Sequence, residues 1–221
     1  MKFVLSWLTA LLVPLLLLSV ALRLLLTPTF LRLEYGRASF PPDPYGFTQA
    51  DRLHWAGYAL EFIREPHPLS YLADLKLADG TPLFNERELR HMVDVQQVTL
   101  KALRIGDLTL ATLLILGLIA IRFRVFPAYL RGLQRGGQLT LLLSALIGIF
   151  GALAFWDFFT YFHLLFFEGD TWLFNYSDTL IRLFPLQFWQ DVFALAAIIV
   201  IAGALILAFS PRLARQGQTR V

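Results

Sequence analysis

The chain of 221 residues contains no cysteine. That excludes disulfides, a thiolate zinc site and a cysteine nucleophile. Charge is scarce too: 16% of the residues are Asp, Glu, Lys or Arg, while 57% are apolar, a balance foreign to an ordinary soluble domain. No serine stands in a Gly-x-Ser-x-Gly turn, so a serine nucleophile is not signalled. No His-Glu-x-x-His pattern marks a zinc hydrolase either. The chain has no internal repeat and no low-complexity tract. Its basic residues do not gather on one surface, so the net charge of +3 is no nucleic-acid footprint.

What the chain does have is long apolar runs. Crossing a bilayer takes roughly 20 apolar residues, and four windows qualify: 3–26, 104–121, 139–159 and 191–210. The second is the weakest, because its apolar part begins only after Asp107. The first opens like a signal peptide, with Lys2, an apolar run and small residues at Ser19 and Ala21. Its stretch is about twice the usual length of a signal core and continues through Leu26, so a retained anchor is the reading. Arginine sets the orientation. The link after the second window holds Arg122, Arg124, Arg131 and Arg135 without an acid, and the tail holds Arg212, Arg215 and Arg220. The third link carries Glu168, Asp170 and Asp178 against Arg182. Both termini and the middle link are therefore expected inside, with residues 27–99 and 162–190 outside.

The fold class read from this pattern is an all-α membrane protein of four transmembrane helices with a small extracytoplasmic α/β cap. Residues 1–26 form the first helix and 27–99 the cap. Residues 100–221 carry the other three, with a cytoplasmic link at 122–138 and an outer link at 162–190. Within the cap, residues 30–35 alternate partly and read as a short strand. The Pro-rich stretch 40–46 reads as ordered loop. Thr48 with Asp51 reads as the N-cap of an amphipathic helix to about Arg64, burying Leu53, Ala56, Gly57, Leu60 and Ile63, and closed by Pro66 and Pro68. Residues 72–84, centred on Asp79 and Gly80, give a weak hairpin signal. Asn85 with Glu88 is a variant capping box, starting a helix that continues into the second span.

Chemistry can reside in the four histidines. His54 lies within the amphipathic helix and His67 between two prolines, where structural roles are the simpler account. His91 stands near the start of the helix begun at Asn85, and His163 among aromatics at the outer end of the third span. The topology brings both to one outer boundary. Glu88, His91 and Asp94 share a helical face by their spacing of three. Either carboxylate could fix the tautomer of His91, as an orienting acid does in hydrolytic sites. Asp157, ionisable within an apolar run, is a further suspect. The histidines with Glu88, Asp94 or Asp157 could also ligate a divalent metal, although no ligand motif calls for one. By spacing alone, a capped helix with an ordinary histidine is the commoner case.

The string FNERELRHMVDV at 84–95 resembles the first signature of the bacterial lipoprotein intramolecular transacylase (Lit) family. FHLLFFEGDTWLF at 162–174, with DTLIRLFP at 178–185 and Phe188 and Trp189, resembles the second. DPYGF at 43–47 and ADRL at 50–53 are similar to that family's outer domain. The resemblance covers nearly the whole chain. It implies an acyltransferase of the bacterial cell membrane, multi-pass, with its active site at the outer face and no cofactor. The substrate would be a diacylglyceryl-cysteine lipoprotein held in membrane lipid. Its sn-2 acyl chain would move to its own N-terminal α-amine, leaving an N-acyl lyso-lipoprotein. His91 and His163 would be the catalytic pair, and the acids read from spacing and placement, Glu88, Asp94 and Asp157, would support them. Arg182 is offered as oxyanion donor. Two other classes fit the residues without the resemblance: a metal-assisted membrane lipid hydrolase and a non-catalytic envelope partner.

The orientation has a direct test, because any cysteine introduced into this chain is unique. In intact cells, a membrane-impermeant thiol reagent should label a cysteine replacing Thr81 and miss one replacing Gln134. The opposite labelling would reverse the topology.

Overall fold

The computed structural model describes residues 1–218, and side chains for residues 1–209. The side chains of Arg212 and Arg215, and Arg220 altogether, lie outside the described residues. The described chain is helical: α1 Lys2–Leu25, α2 Pro28–Tyr35, α3 Gln49–Arg64, α4 Ser70–Ala73, α5 Glu86–Arg122, α6 Phe126–Leu153, α7 Phe155–Phe166, α8 Thr179–Leu183 and α9 Leu186–Gln218. Four of these helices are long and apolar enough to cross a membrane: α1, α5, α6 and α9 through Phe209. The chain divides into two compact units, and α1, α5 and α9 contribute residues to both.

The first unit comprises Met1–Leu22, Leu103–Phe155 and Leu195 onward. Hydrophobic attraction cannot hold helices together in a solvent as apolar as they are, so close backbone packing takes over. Gly132 and Gly136, a small-xxx-small pair on α6, meet Thr9 and Ser6, and Val13 and Ala10, on α1. Gly137, on the neighbouring face of α6, meets the backbone of Ala204 and Ala208 on α9. Thr9, Ala10, Val13, Ala204 and Ala208 are all buried there. Outward, Leu114, Leu118, Leu146 and Ile206 are each more than half exposed, the surface that lipid-facing helices present. Arg135 donates to the Ser6 hydroxyl at 3.2 Å and lies over the Trp7 ring.

The second unit, Arg23–Ala102 with Trp156–Ala194, is where the sequence expectations of a mixed α/β cap give way. Residues 30–35 are helix α2. Thr27 caps it by accepting from the Phe30 amide, and Pro28 occupies the first turn, where its fixed φ favours a helix and its missing N–H costs nothing. These local signals outweigh a partial alternation. The hairpin reduces to an isolated bridge between Lys76 and Pro82 around Gly80. Pro82 lacks the N–H that a longer ladder needs. Helix α3 has the expected start, with a complete Thr48–Asp51 capping box. Its buried face differs: Arg52, Ala56, Ala59, Leu60 and Phe62 are enclosed, while Leu53, Gly57 and Ile63 are half-buried. The face is turned because Arg52 goes inward, donating to the Pro41 carbonyl. Phe62, Leu72, Leu83, Phe84, Met92, Leu180 and Leu183 form the core of this unit. Gln96 of α5 fastens the end of α3 by sharing its amide among the Phe62, Glu65 and His67 carbonyls.

Helix α6 ends at Leu153, earlier than the window 139–159 implied. Ala154, with φ −143° and ψ 61°, breaks the helix, and α7 starts afresh. His163 therefore stands on a separate short helix.

Replacing Gly137 by alanine should destabilise the first unit by about 1–3 kcal/mol. Its Cβ would lie 2.7 Å from the Ala204 carbonyl and 2.8 Å from the Ala208 amide, backbone atoms that cannot move aside alone. A Cβ at Gly148 meets nothing within 4 Å, so Gly148→Ala should be neutral. Thermal unfolding in detergent should separate the two variants.

Candidate active site

Two histidines 72 residues apart in sequence come together in the second unit. Their rings lie 6.3 Å apart between centroids, with planes inclined by 21°. Helix α5 supplies His91. Its start is fixed by the capping box foreseen in the sequence: the Asn85 side chain accepts from the Glu88 amide at 3.0 Å, and Glu88 accepts from the Asn85 amide at 2.8 Å. His91 follows one turn later, on the polar first part of α5 and ahead of the apolar stretch from residue 104. Helix α7 supplies His163.

The surroundings are aromatic. Phe167 and Phe174 pack on His91, at 4.9 and 5.4 Å between ring centres. Phe159, Trp172 and Phe167 pack on His163, at 4.1, 4.5 and 5.6 Å. Both imidazoles are buried, His91 at 9% exposed and His163 at 8%. Burial disfavours the charged form of a base. It pushes the pKa of His91 down to about 4, reinforced by the neighbouring His163. Burial also lowers His163, partly offset by its bond to the Phe159 carbonyl. Both rings are thus neutral at pH 7.

That bond settles the tautomer of His163. Its Nδ1 lies 2.7 Å from the Phe159 carbonyl oxygen, which can only accept, so Nδ1 carries the proton. Nε2 is left with the lone pair, and His163 is oriented as a base. His91 is not oriented in this way, since its buried Nδ1 has no hydrogen-bond partner.

The supporting residues fare differently. Glu88 is adjacent in sequence space but not bonded to His91: its Oε1 accepts from the Leu180 amide at 2.6 Å and its Oε2 from Asn85. Asp94 is not the partner of His91 Nδ1 either. Asp157 is exposed in the first turn of α7, where an acid complements the helix dipole. Arg182 is committed elsewhere. Its guanidinium donates to Asp43 through Nε and Nη2, at 3.1 and 3.0 Å, and lies 3.5 Å from the centre of the Phe47 ring. His54 is exposed, and His67 stacks on Tyr71 at 4.2 Å. Among the described residues, Glu61, Glu65 and His67 have ligand atoms spaced for a metal, a group that includes neither histidine of the pair. The aromatic cover of Phe167, Trp172 and Phe174 is not among the site residues that the sequence points to. The density of aromatics after His163 was the signal that could have found it.

Fold and site together describe a multi-pass membrane protein with a buried centre of two neutral histidines. The family model for the lipoprotein intramolecular transacylase Lit matches residues 5–189, both histidine strings included. The chain belongs to the Lit family, and with it to the acyltransferase-type enzymes. Its fold is similar to the in meso structure of the membrane-integral lipoprotein intramolecular transacylase Lit from Bacillus cereus. The TM-score is 0.81 at 17% identity, over 100% of this chain and 99% of that one. A variant of the same protein with a histidine replaced by alanine matches at a TM-score of 0.60, over 100% and 96% of the two chains. A protein of Aquifex aeolicus (strain VF5), described as uncharacterized, is 28% identical over 95% of this chain and 94% of its own.

Proposed function

We propose that the protein moves the sn-2 acyl chain of a diacylglyceryl-cysteine lipoprotein onto that lipoprotein's own α-amine, with His91 and His163 as acid–base pair at the outer membrane face. The observation that carries the reading is the pairing itself: two buried, neutral imidazoles from the two family strings, one with its basic Nε2 fixed. Membership of the transacylase family supplies the substrate class.

The proton balance explains why two bases are useful. A free α-amine has a pKa of about 7.7–8.0, so much of it is ammonium at pH 7. One imidazole takes a proton from the ammonium, and the freed nitrogen attacks the ester carbonyl carbon. The C–N bond forms, and the nitrogen gives its second proton to the other imidazole. The tetrahedral centre collapses with breakage of the bond to the sn-2 oxygen. That oxygen receives one of the two protons and the other leaves to water. The products are an amide and a free glycerol hydroxyl. His163 is the base whose lone pair is preset. Holding amine and ester of one molecule together contributes much of the barrier reduction through proximity, and no covalent acyl-enzyme is needed.

The decisive experiment mixes a purified diacyl lipoprotein with excess isotope-labelled phospholipid, in strong chelator, and follows the N-terminal peptide by mass spectrometry. The product should keep the mass of its substrate, carry no label, and have an acylated amine with one glyceryl ester lost. His91→Ala and His163→Ala, verified as folded, should each lower the rate at least about a hundredfold, the typical worth of general acid–base catalysis. Label on the amine would mean a phospholipid acyl donor, and loss of activity with chelator would mean a metal hydrolase or transferase. Normal transfer by either folded variant would overturn the histidine pair.

The pH dependence carries its own sign. A base must be neutral to act, and burial holds both imidazoles below the ordinary histidine value. The acid limb of kcat should therefore fall below about pH 6.5. Phe174→Ala, which admits water to His91, should move that limb upward. A native limb at or above the ordinary value would contradict the desolvated pair.

A further inference from the structure

Glu88 is 1% exposed, one helical turn from His91, and spends neither carboxylate oxygen on it. Its bond to the Asn85 amide closes the start of α5. Its other bond, to the Leu180 amide, serves a different helix. The first turn of any helix leaves N–H groups without partners, and α8 has no side-chain bond from its own N-cap, Asp178. The Asp178 carboxylate instead accepts from the Asn175 amide, at 2.8 Å. One carboxylate therefore caps two helices. Two further ties join the same segments: the Thr179 hydroxyl donates to the Leu83 carbonyl, and Arg87 donates to the Asp170 carbonyl at 2.9 Å, with an ion pair to its carboxylate at 3.0 Å. The chain between Asp170 and Thr179 carries Trp172 and Phe174, which lie against His163 and His91.

We propose that Glu88 is a positioning residue for acyl transfer: by capping α8 from α5, it holds the aromatic cover of Trp172 and Phe174 on the two imidazoles. This rests on the transacylase reading for its catalytic consequence, though not for its structural one. The role needs two acceptor oxygens on one side chain of this length. Glutamine offers one acceptor and turns an NH₂ group toward a backbone N–H. Aspartate, one methylene shorter, cannot serve both helices. The Arg87–Asp170 pair is largely exposed, so solvent screening leaves it little worth. The buried Glu88 bonds, charge-assisted and dry, are the stronger tie.

The test reads histidine reactivity directly. Native protein and Glu88→Gln are treated with diethyl pyrocarbonate in detergent, and modification at each of the four histidines is followed by peptide mass spectrometry. In Glu88→Gln, His91 and His163 should react several-fold faster, while His54 and His67 keep their native rates. Gln96→Ala, which loosens the end of α3 in the same unit, should lower stability without this selective rise. With lipoprotein substrate, Glu88→Gln should lose between about tenfold and a hundredfold in kcat, with a smaller change in KM. Should Glu88→Gln not fold, Thr179→Val cuts the neighbouring tie to Leu83 and should show the same selectivity. Unchanged reactivity of His91 and His163, or an equal rise at His54 and His67, would overturn the proposal. Because reactivity is read without substrate, native protein that transfers no acyl group would sink the transacylase reading and leave the capping role of Glu88, with its hold on the aromatic cover, standing.

Discussion

Burial of two imidazoles without a charged partner is the constraint on which the site is built. An isolated buried cation costs many kcal/mol, so a group placed in such surroundings stays neutral instead. Two histidines close together add mutual repulsion to that cost, since protonating one makes the other harder to protonate. The aromatic rings of Phe159, Phe167, Trp172 and Phe174 supply the dry surroundings. The Phe159 carbonyl, bonded to His163 Nδ1, orients that ring without adding a charge. A carboxylate in that place would stabilise the imidazolium and raise the pKa. The pair is thus held neutral, the state that the proposed proton transfers require.

The family's two strings become intelligible in these terms. In the first, Asn85 and Glu88 set where α5 begins and His91 follows at a fixed turn. In the second, His163 is followed by a segment that folds back over both rings and then meets Glu88 at Leu180. Neither string makes a site alone. Arg182 belongs to a different task. With Asp43 it joins α8 to the Pro-rich loop, where the Asp43 carboxylate also accepts from the Phe47 amide at 2.7 Å. An arginine held by a buried carboxylate and an aromatic face is expensive to displace.

Legibility in the sequence followed the range of the physics involved. The spans are legible because hydrocarbon demands a long apolar run wherever it is crossed, and α1, α5, α6 and α9 answer to that demand. Capping boxes are legible because they act over three residues, and both Thr48–Asp51 and Asn85–Glu88 form as read. At residues 30–35 a partial alternation reads as strand, whereas Thr27 and Pro28 start a helix there, so the cap is not α/β at this point. The break at Ala154 comes three residues after Gly151 and without a proline, a signal too weak to interrupt the apolar window 139–159. The pairing of His91 with His163 was approached through topology and the resemblance, since nothing local joins them. Roles that depend on long-range partners were the least legible. Glu88 looked like an orienting acid for His91 because spacing along one helix is visible, whereas an amide 92 residues away is not.

The difference between those two roles for Glu88 bears on how the site works. As an orienting acid it would share a proton with His91 and pull that ring toward the charged form. As a cap it holds its charge on backbone N–H groups of two helices and leaves His91 Nδ1 without a partner. A buried polar atom without a partner costs free energy in the resting state, and that cost vanishes once a substrate group bonds to it. Under the proposed function, the ammonium of a lipoprotein, or the hydroxyl formed when its ester breaks, would be a group of the required kind. A substrate group bonded to His91 Nδ1 would, under the same proposal, supply that hydrogen bond in the reacting state. Interactions of this sort favour the reacting state over the empty one, which is the condition for binding energy to lower a barrier.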